Sequence, residues 1–209
     1  QLLEALEHRG LDKNTVFLFT SDNGGDIPTD PTRPEAQAQS AGLSLNGHHR
    51  GDKHTIYNGG FAVPFMVRWP QMLEGAQTSG GLVNTTDIFA TIAEIVSKDV
   101  PTPNSAAPDS FSFYKLLKNP NAESNRPHAV LRDVRGRHAL LFENWKYIDD
   151  TLPATEKPRK GDAKELYDLA SDPSETTNVI DDHPQVVRRA QTILKAIRTE
   201  PASRNVALD

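Results

Sequence analysis

Asp22 and Asn23 stand directly behind a run of apolar residues and are followed by Gly24 and Gly25. A carboxylate beside a side-chain amide offers two hard oxygen donors, the atom type that Ca²⁺ and Mg²⁺ prefer over softer metals. The glycines let the backbone turn sharply and leave room for a bound group. The same four residues are also a favoured turn sequence, so a plain surface turn is the competing reading. A second constellation occupies residues 46–60, Asn-Gly-His-His-Arg-Gly-Asp-Lys-His-Thr-Ile-Tyr-Asn-Gly-Gly. Arg50, Lys53 and the histidines at 48, 49 and 54 suit an oxyanion such as phosphate or sulfate. Cations and exposed backbone N–H groups both stabilise one. A solvated basic loop is the alternative. The neighbours His48 and His49 have no fixed ligand geometry in a loop and make a poor metal motif.

These residues need a scaffold. Leu2, Leu3 and Leu6 recur at helical spacing, with Gly10 as the stop. Thr15 to Thr20 is apolar and β-rich and reads as a buried strand. A helix, a short turn and a strand ending in polar residues follow the pattern of a parallel α/β sheet, where ligands gather beyond the carboxyl ends of strands. Residues 26–46 read as a long surface loop, and Phe61 to Val67 as a second strand closed by Trp69 and Pro70. Thr86 is placed to cap a helix running to about Val96, with Ile88, Phe89, Ile92, Ile95 and Val96 on its buried face. A Pro- and Ser-rich covering loop at 99–110 and a short helix from Phe113 to Leu117 come next. Composition changes at 119–127, which divides the chain into residues 1–120, part of a larger α/β domain, and residues 121–209, a small α+β domain. The small domain has β pieces at His128–Val134, His138–Glu143, Trp145–Asp149 and Glu165–Asp168, then one amphipathic helix from Pro184 to Thr199.

Bulk properties narrow the partners. The 209 residues are 36% hydrophobic and 24% charged, with 23 basic against 28 acidic side chains and a formal charge of −5. No basic field points to nucleic acid, and no basic cluster points to an anionic membrane. The apolar runs fall far short of the roughly 20 residues that span a bilayer. With no cysteine, these residues hold no disulfide, thiolate-bound metal or cysteine nucleophile.

Taken together, the pattern strand–SDNGG, then NGxxRGxKxTxYxGGxxVPFxVRWP, resembles the type I sulfatase family of the alkaline phosphatase superfamily. The resemblance continues through Asn84-Thr85-Thr86-Asp87, where the family has its Asp-led helix. It ends in the motif ELYDL-x-x-DP-x-E-x-x-N from Glu165 to Asn178. It implies an alkaline-phosphatase-like α/β domain followed by a small α+β domain with a short antiparallel sheet and one helix. It implies that Asp22 and Asn23 are divalent-metal ligands, usually for Ca²⁺ with Mg²⁺ as the alternative. It also implies that Lys53 meets the sulfate and the leaving oxygen of the ester. His48 is a weaker substrate-binding candidate, because some members carry a histidine shortly before the lysine. His49 and Arg50 remain open as substrate contacts.

The family's nucleophile is formylglycine, made from Cys or Ser in a C/S-x-P-x-R motif. The nearest match here, Ser171-Asp172-Pro173-Ser174-Glu175, has Glu175 in place of the Arg and belongs to the tail motif. The expectation is therefore a chain whose N-terminal partner half supplies the nucleophile, inactive by itself and with apolar faces left uncovered. Where the family commonly has Glu and Arg in Y-E-G-G-x-R-V-P, this chain has Asn58 and Ala62. That leaves the loop's detailed conformation open. The implied substrate is a sulfated small molecule or saccharide, and the implied compartment is periplasmic or extracellular. Two rivals stand beside this reading: a phosphodiesterase or phosphonate hydrolase of the same superfamily, and a non-catalytic module that binds a sugar sulfate.

Overall fold

The computed structural model describes residues 1–97, 99–103, 105–157 and 162–206. In chain order its main elements are α1 (Leu2–His8), β1 (Phe17–Thr20), α2 (Pro34–Ser40), α3 (Asn58–Phe61), β2 (Phe65–Arg68), α4 (Asp87–Ser97) and α5 (Tyr114–Lys118). They continue with β3 (His128–Arg132), β4 (His138–Phe142), β5 (Trp145–Asp149), β6 (Glu165–Asp168) and α6 (Pro184–Thr199). Two compact units result. One comprises Gln1–Ser21, Pro64–Pro127 and residues 200–206, and the other Asp22–Val63 and His128–Thr199. This division differs from a cut near residue 120 chiefly in residues 22–63, which group with the C-terminal strands.

In the first unit β1 and β2 pair antiparallel, with Phe17 opposite Arg68 and Thr20 opposite Phe65. The parallel, buried strand read from composition is corrected here. Phe19 and its cross-strand partner Met66 are 52% and 56% exposed. A two-stranded sheet leaves its outer edges and much of its faces uncovered, so the apolar character of these strands is not satisfied by their own pairing.

The start of α4 also departs from expectation. Asn84, not Thr86, does the capping: its Oδ1 accepts the Thr86 N–H at 3.0 Å, and its own N–H donates to Asp87 Oδ2 at 2.8 Å. The reciprocal exchange resembles a capping box. Asp87 is buried and also accepts the Phe111 N–H at 2.8 Å and the Arg126 Nε at 2.7 Å. Ser110 Oγ receives the Ala90 N–H, and Thr91 Oγ1 receives that of Phe113. These bonds turn Asp87, Ala90 and Thr91 toward residues 110–113. Phe89, Ile92 and Val96 therefore stay exposed instead of forming the buried face. Because Asp87 serves three partners as a carboxylate, Asp87→Asn is expected to destabilise the first unit by about 1.5–3 kcal/mol. Urea unfolding followed by circular dichroism would measure it.

The second unit is built on a four-stranded antiparallel sheet in the order β3-β4-β5-β6. Ala190, Ile193 and Leu194 of α6 are buried, as the amphipathic pattern requires. Residues 26–46 are not loop throughout: they contain α2, where Pro34 opens the helix and Glu35, Ala36, Gln37 and Ala38 are good helix formers. The core joins Ala139, Ile148 and Tyr167 of the sheet to Ile56, which belongs to the polar 46–60 segment and is fully buried. One apolar residue thus anchors a chemically loaded loop to a rigid sheet.

Candidate functional site

The 46–60 segment and the Ser-Asp-Asn-Gly-Gly stretch meet along a backbone seam. Gly24 N–H donates to Gly60 O at 3.0 Å, and Lys53 N–H donates to Gly25 O at 3.1 Å. Between these bonds, Asn46 Oδ1 accepts the Gly25 N–H at 2.6 Å, while Asn46 Nδ2 donates to Gly25 O at 3.1 Å and Gly51 O at 3.2 Å. The backbones approach so closely that a Cβ on Gly24 would lie 1.7 Å from Gly59 O. Only glycine fits. Gly24→Ala is expected to force the seam apart, at the cost of about 1–3 kcal/mol typical of overpacking. Thermal unfolding would register the loss, and a melting point equal to wild type would contradict the seam.

Lys53 occupies a tight turn. Thr55 N–H closes it onto Asp52 O at 3.0 Å, while Thr55 Oγ1 donates to Asp52 O at 2.7 Å and accepts the Asp52 N–H at 3.1 Å. The third residue of the turn, His54, has φ of +81°. A non-glycine residue there stores about 1–3 kcal/mol of strain, which the surrounding bonds must hold in place. Lys53 itself is half-buried.

The structure therefore sets Lys53 against Gly25, at the end of the strip that begins with Asp22 and Asn23. Asp22 is exposed, and Asn23 is half-buried with Nδ2 donating to Gly24 O at 2.9 Å. The other end of that amide is the carbonyl oxygen, a hard donor atom. His48 lies on the exposed side of the loop with its ring 4.2 Å from that of His49. The donor chemistry of Asp22 and Asn23 fits a hard divalent cation. Their number does not complete a site, because Ca²⁺ takes 6–8 oxygens. Among the described residues, no group of three or more His, Cys, Asp or Glu could hold a metal ion.

Arg50, left open by the sequence as a substrate contact, is committed elsewhere. Its Nη1 donates to Tyr167 Oη at 2.8 Å and to Glu175 O at 3.0 Å, and its Nη2 donates to Tyr57 Oη at 3.0 Å. The guanidinium also lies 3.7 Å over the Tyr57 ring. Both phenols donate onward to Glu165: Tyr57 to Oε1 at 2.9 Å, and Tyr167 to Oε2. Burial, reinforced by the Glu165 carboxylate, pushes both phenols above their usual pKa, so they stay protonated as donors.

Beneath this cluster the fully buried Lys146 and Glu175 form an ion pair, with Nζ 2.6 Å from Oε1. Lys146 Nζ also donates to Asn58 Oδ1 at 2.9 Å, and Asn58 N–H donates to Glu175 Oε2 at 2.6 Å. Asn58 therefore ties the loop to the sheet even though it stands where the family commonly has Glu. Burial lowers the pKa of Lys146, and Glu175 opposes that shift.

No motif in the sequence signals Lys146 directly. Period-two alternation along Trp145–Asp149 does put it on the same face as Ile148, a core residue, and a lysine on that face needs a buried partner.

The family model described as Sulfatase matches residues 1–97. An N-acetylgalactosamine-6-O-sulfatase of Bacteroides thetaiotaomicron is 34% identical over 210 residues, covering 95% of this chain and 39% of that protein. This chain belongs to the sulfatase family. Arylsulfatase K of Xenopus laevis is 27% identical, with the match covering 96% of this sulfatase chain and 34% of the Xenopus protein. A solved structure from work on glycosaminoglycan metabolism by Bacteroides thetaiotaomicron superposes with a TM-score of 0.80 at 33% identity. That match covers 95% of this chain and 42% of the solved one. The chain thus spans between a third and two-fifths of the length of these two relatives. The α/β unit and the small antiparallel sheet with its helix are the C-terminal sulfatase architecture. No helix among the described residues is long and apolar enough to cross a membrane.

Proposed function

We propose that these residues carry the metal-facing and leaving-group side of a sulfuric ester hydrolase. The observation that supports it most is the seam holding Lys53 against the strip that begins with Asp22 and Asn23. An ammonium at that place neutralises charge as it grows on the ester oxygen during S–O cleavage, and it does so best in a water-poor site. Asp22 and Asn23 would contribute to holding Ca²⁺ or Mg²⁺, with further ligands from outside these residues. Such an ion would polarise sulfate oxygens and orient the ester. His48 is proposed as an additional substrate contact from the rim of the same loop.

The nucleophile, formylglycine in this reading, comes from a preceding segment, since no residue of this chain fits its motif. Residues 1–120 then complete the large α/β domain and 121–209 form the small one. The substrate is a sulfate ester of a carbohydrate or a phenol. The name of the Bacteroides relative favours a sulfated amino sugar. A periplasmic or extracellular site of action belongs to the same reading.

The full-length enzyme is expected to release sulfate from 6-O-sulfated N-acetylgalactosamine or from 4-nitrophenyl sulfate, and to lose that activity in excess chelator. Absence of release from both esters, with metal supplied, would refute it. Asp22→Ala is expected to weaken Ca²⁺ binding by at least the roughly 10–100-fold that loss of an outer-shell partner costs. Calorimetric titration of the metal-free enzyme would show an unchanged affinity if Asp22 is no ligand.

A further inference from the structure

We propose that Arg50 is a positioning residue, clamping the turn that carries Lys53 to the four-stranded sheet through Tyr57, Tyr167 and the Glu175 carbonyl. The proposal rests on the reading of Lys53 as the group that meets the ester. Three observations converge on it. First, Arg50 lies close before Lys53, and its carbonyl accepts the Gly59 N–H at 2.7 Å, so its backbone is fixed from the far side of the loop. Second, its guanidinium directs one hydrogen bond onto Tyr167 of β6, one onto the Glu175 carbonyl of the tail motif, and one onto Tyr57 Oη of the same loop, which itself donates to Glu165 of β6. Third, the turn it supports contains a strained non-glycine residue, His54, which would relax if its supports were removed.

Electrostatic attraction is the smaller part of this clamp. Arg50 Nη1 is 3.6 Å from Glu165 Oε2 and the arginine side chain is 43% exposed, so the charge pair alone is weak. Direction is what the fork supplies. Its planar donors fix the angle of the loop against two phenol oxygens and a carbonyl, which a flexible ammonium would not do. Glu165 in turn accepts from both phenols and orients their oxygens as acceptors for Arg50. The tail motif from Glu165 to Glu175 thereby sets the position of a lysine that lies far from it in sequence.

The test compares Lys53→Ala, Arg50→Met, Arg50→Lys and Tyr167→Phe in the full-length enzyme, with aryl sulfates whose leaving phenols differ in acidity. Lys53→Ala should lower kcat most for the least acidic phenols, because these place most charge on the leaving oxygen. Arg50→Met should reproduce that slope, with kcat down by about 10- to 100-fold and KM little changed, as expected for a catalytic group misplaced by about 1 Å. Arg50→Lys should fall between wild type and Arg50→Met. Added to Lys53→Ala, Arg50→Met should cost nothing further, the signature of two residues acting as one unit.

Tyr167→Phe removes one acceptor and keeps the ring in the core. It should give a change of the same sign, about threefold to tenfold, and it carries the test if Arg50→Met fails to fold. Losses that are equal for all phenols, or that multiply with Lys53→Ala, would overturn the clamp alone. A Lys53→Ala enzyme with the wild-type slope would instead overturn the reading of Lys53, and the clamp's purpose with it.

Discussion

Replacing Lys53 with alanine is expected to lower kcat for sulfate ester hydrolysis by about 10²- to 10³-fold, or roughly 2.7–4 kcal/mol. That is the loss seen when one preorganised donor facing transition-state charge is removed. KM should change far less, because the charge that Lys53 meets develops on the leaving oxygen only as the bond breaks. The fold should survive. Lys53 is half-buried, and the bonds that define its turn come from its backbone and from Thr55, not from its side chain. Circular dichroism and the melting temperature should therefore match wild type, which separates a chemical loss from a structural one. A Lys53→Ala enzyme with unchanged kcat would remove the lysine from the chemistry.

Glu175→Ala should damage stability more than Asp87→Asn or Gly24→Ala, by about 3–5 kcal/mol. The substitution leaves the fully buried Lys146 ammonium without its carboxylate and takes the acceptor from the Asn58 N–H. Removing both charges together should be much milder. A Lys146→Met, Glu175→Leu double variant replaces the pair with apolar groups of similar bulk, which is often neutral or stabilising by about 1–4 kcal/mol. The contrast between the single and double variants, read from denaturant midpoints, isolates the cost of an unpaired buried charge. If the double variant is as unstable as Glu175→Ala, the Asn58 contacts and not the ion pair hold the loop to the sheet. Activity in the double variant would show whether that attachment also matters to Lys53.

How far the sequence can be read depends on what each feature needs in order to form. Elements stabilised by local pattern are legible. The short runs Trp145–Asp149 and Glu165–Asp168, rich in aromatic and branched residues, and the apolar stripe of Pro184–Thr199 define those elements at the bounds the structure shows. Glycines and loop formers clustered with charged residues are legible too, and they bring Asp22, Asn23 and Lys53 to notice from the sequence alone. Features that depend on distant partners are not legible. The pairing direction of β1 and β2 is set by which strand lies beside which, and composition carries no record of it.

The outward face of α4 is a similar case. Phe89, Ile92 and Val96 look like core residues, yet Asp87 and Thr91 take the inner side because Arg126, Phe111 and Phe113 offer them partners there. Arg50 shows the same limit at the site. Next to Gly51 and Lys53 it reads as an anion contact, and only the positions of Tyr57 and Tyr167 reveal that its donors are already engaged. The helix Pro34–Ser40 is legible in principle from its helix formers, but the prolines and small polar residues around it outweigh them in a reading by composition.

The central claim is that Asp22, Asn23 and Lys53 form one site built for a sulfate ester. Its most direct test is the turnover of 4-nitrophenyl sulfate against 4-nitrophenyl phosphate and a phenyl phosphonate by the full-length enzyme, with and without the Lys53→Ala substitution. The sulfate ester should be turned over best, and Lys53→Ala should abolish most of that preference. Faster turnover of the phosphate or phosphonate, or a preference for sulfate that survives the loss of Lys53, would contradict the claim.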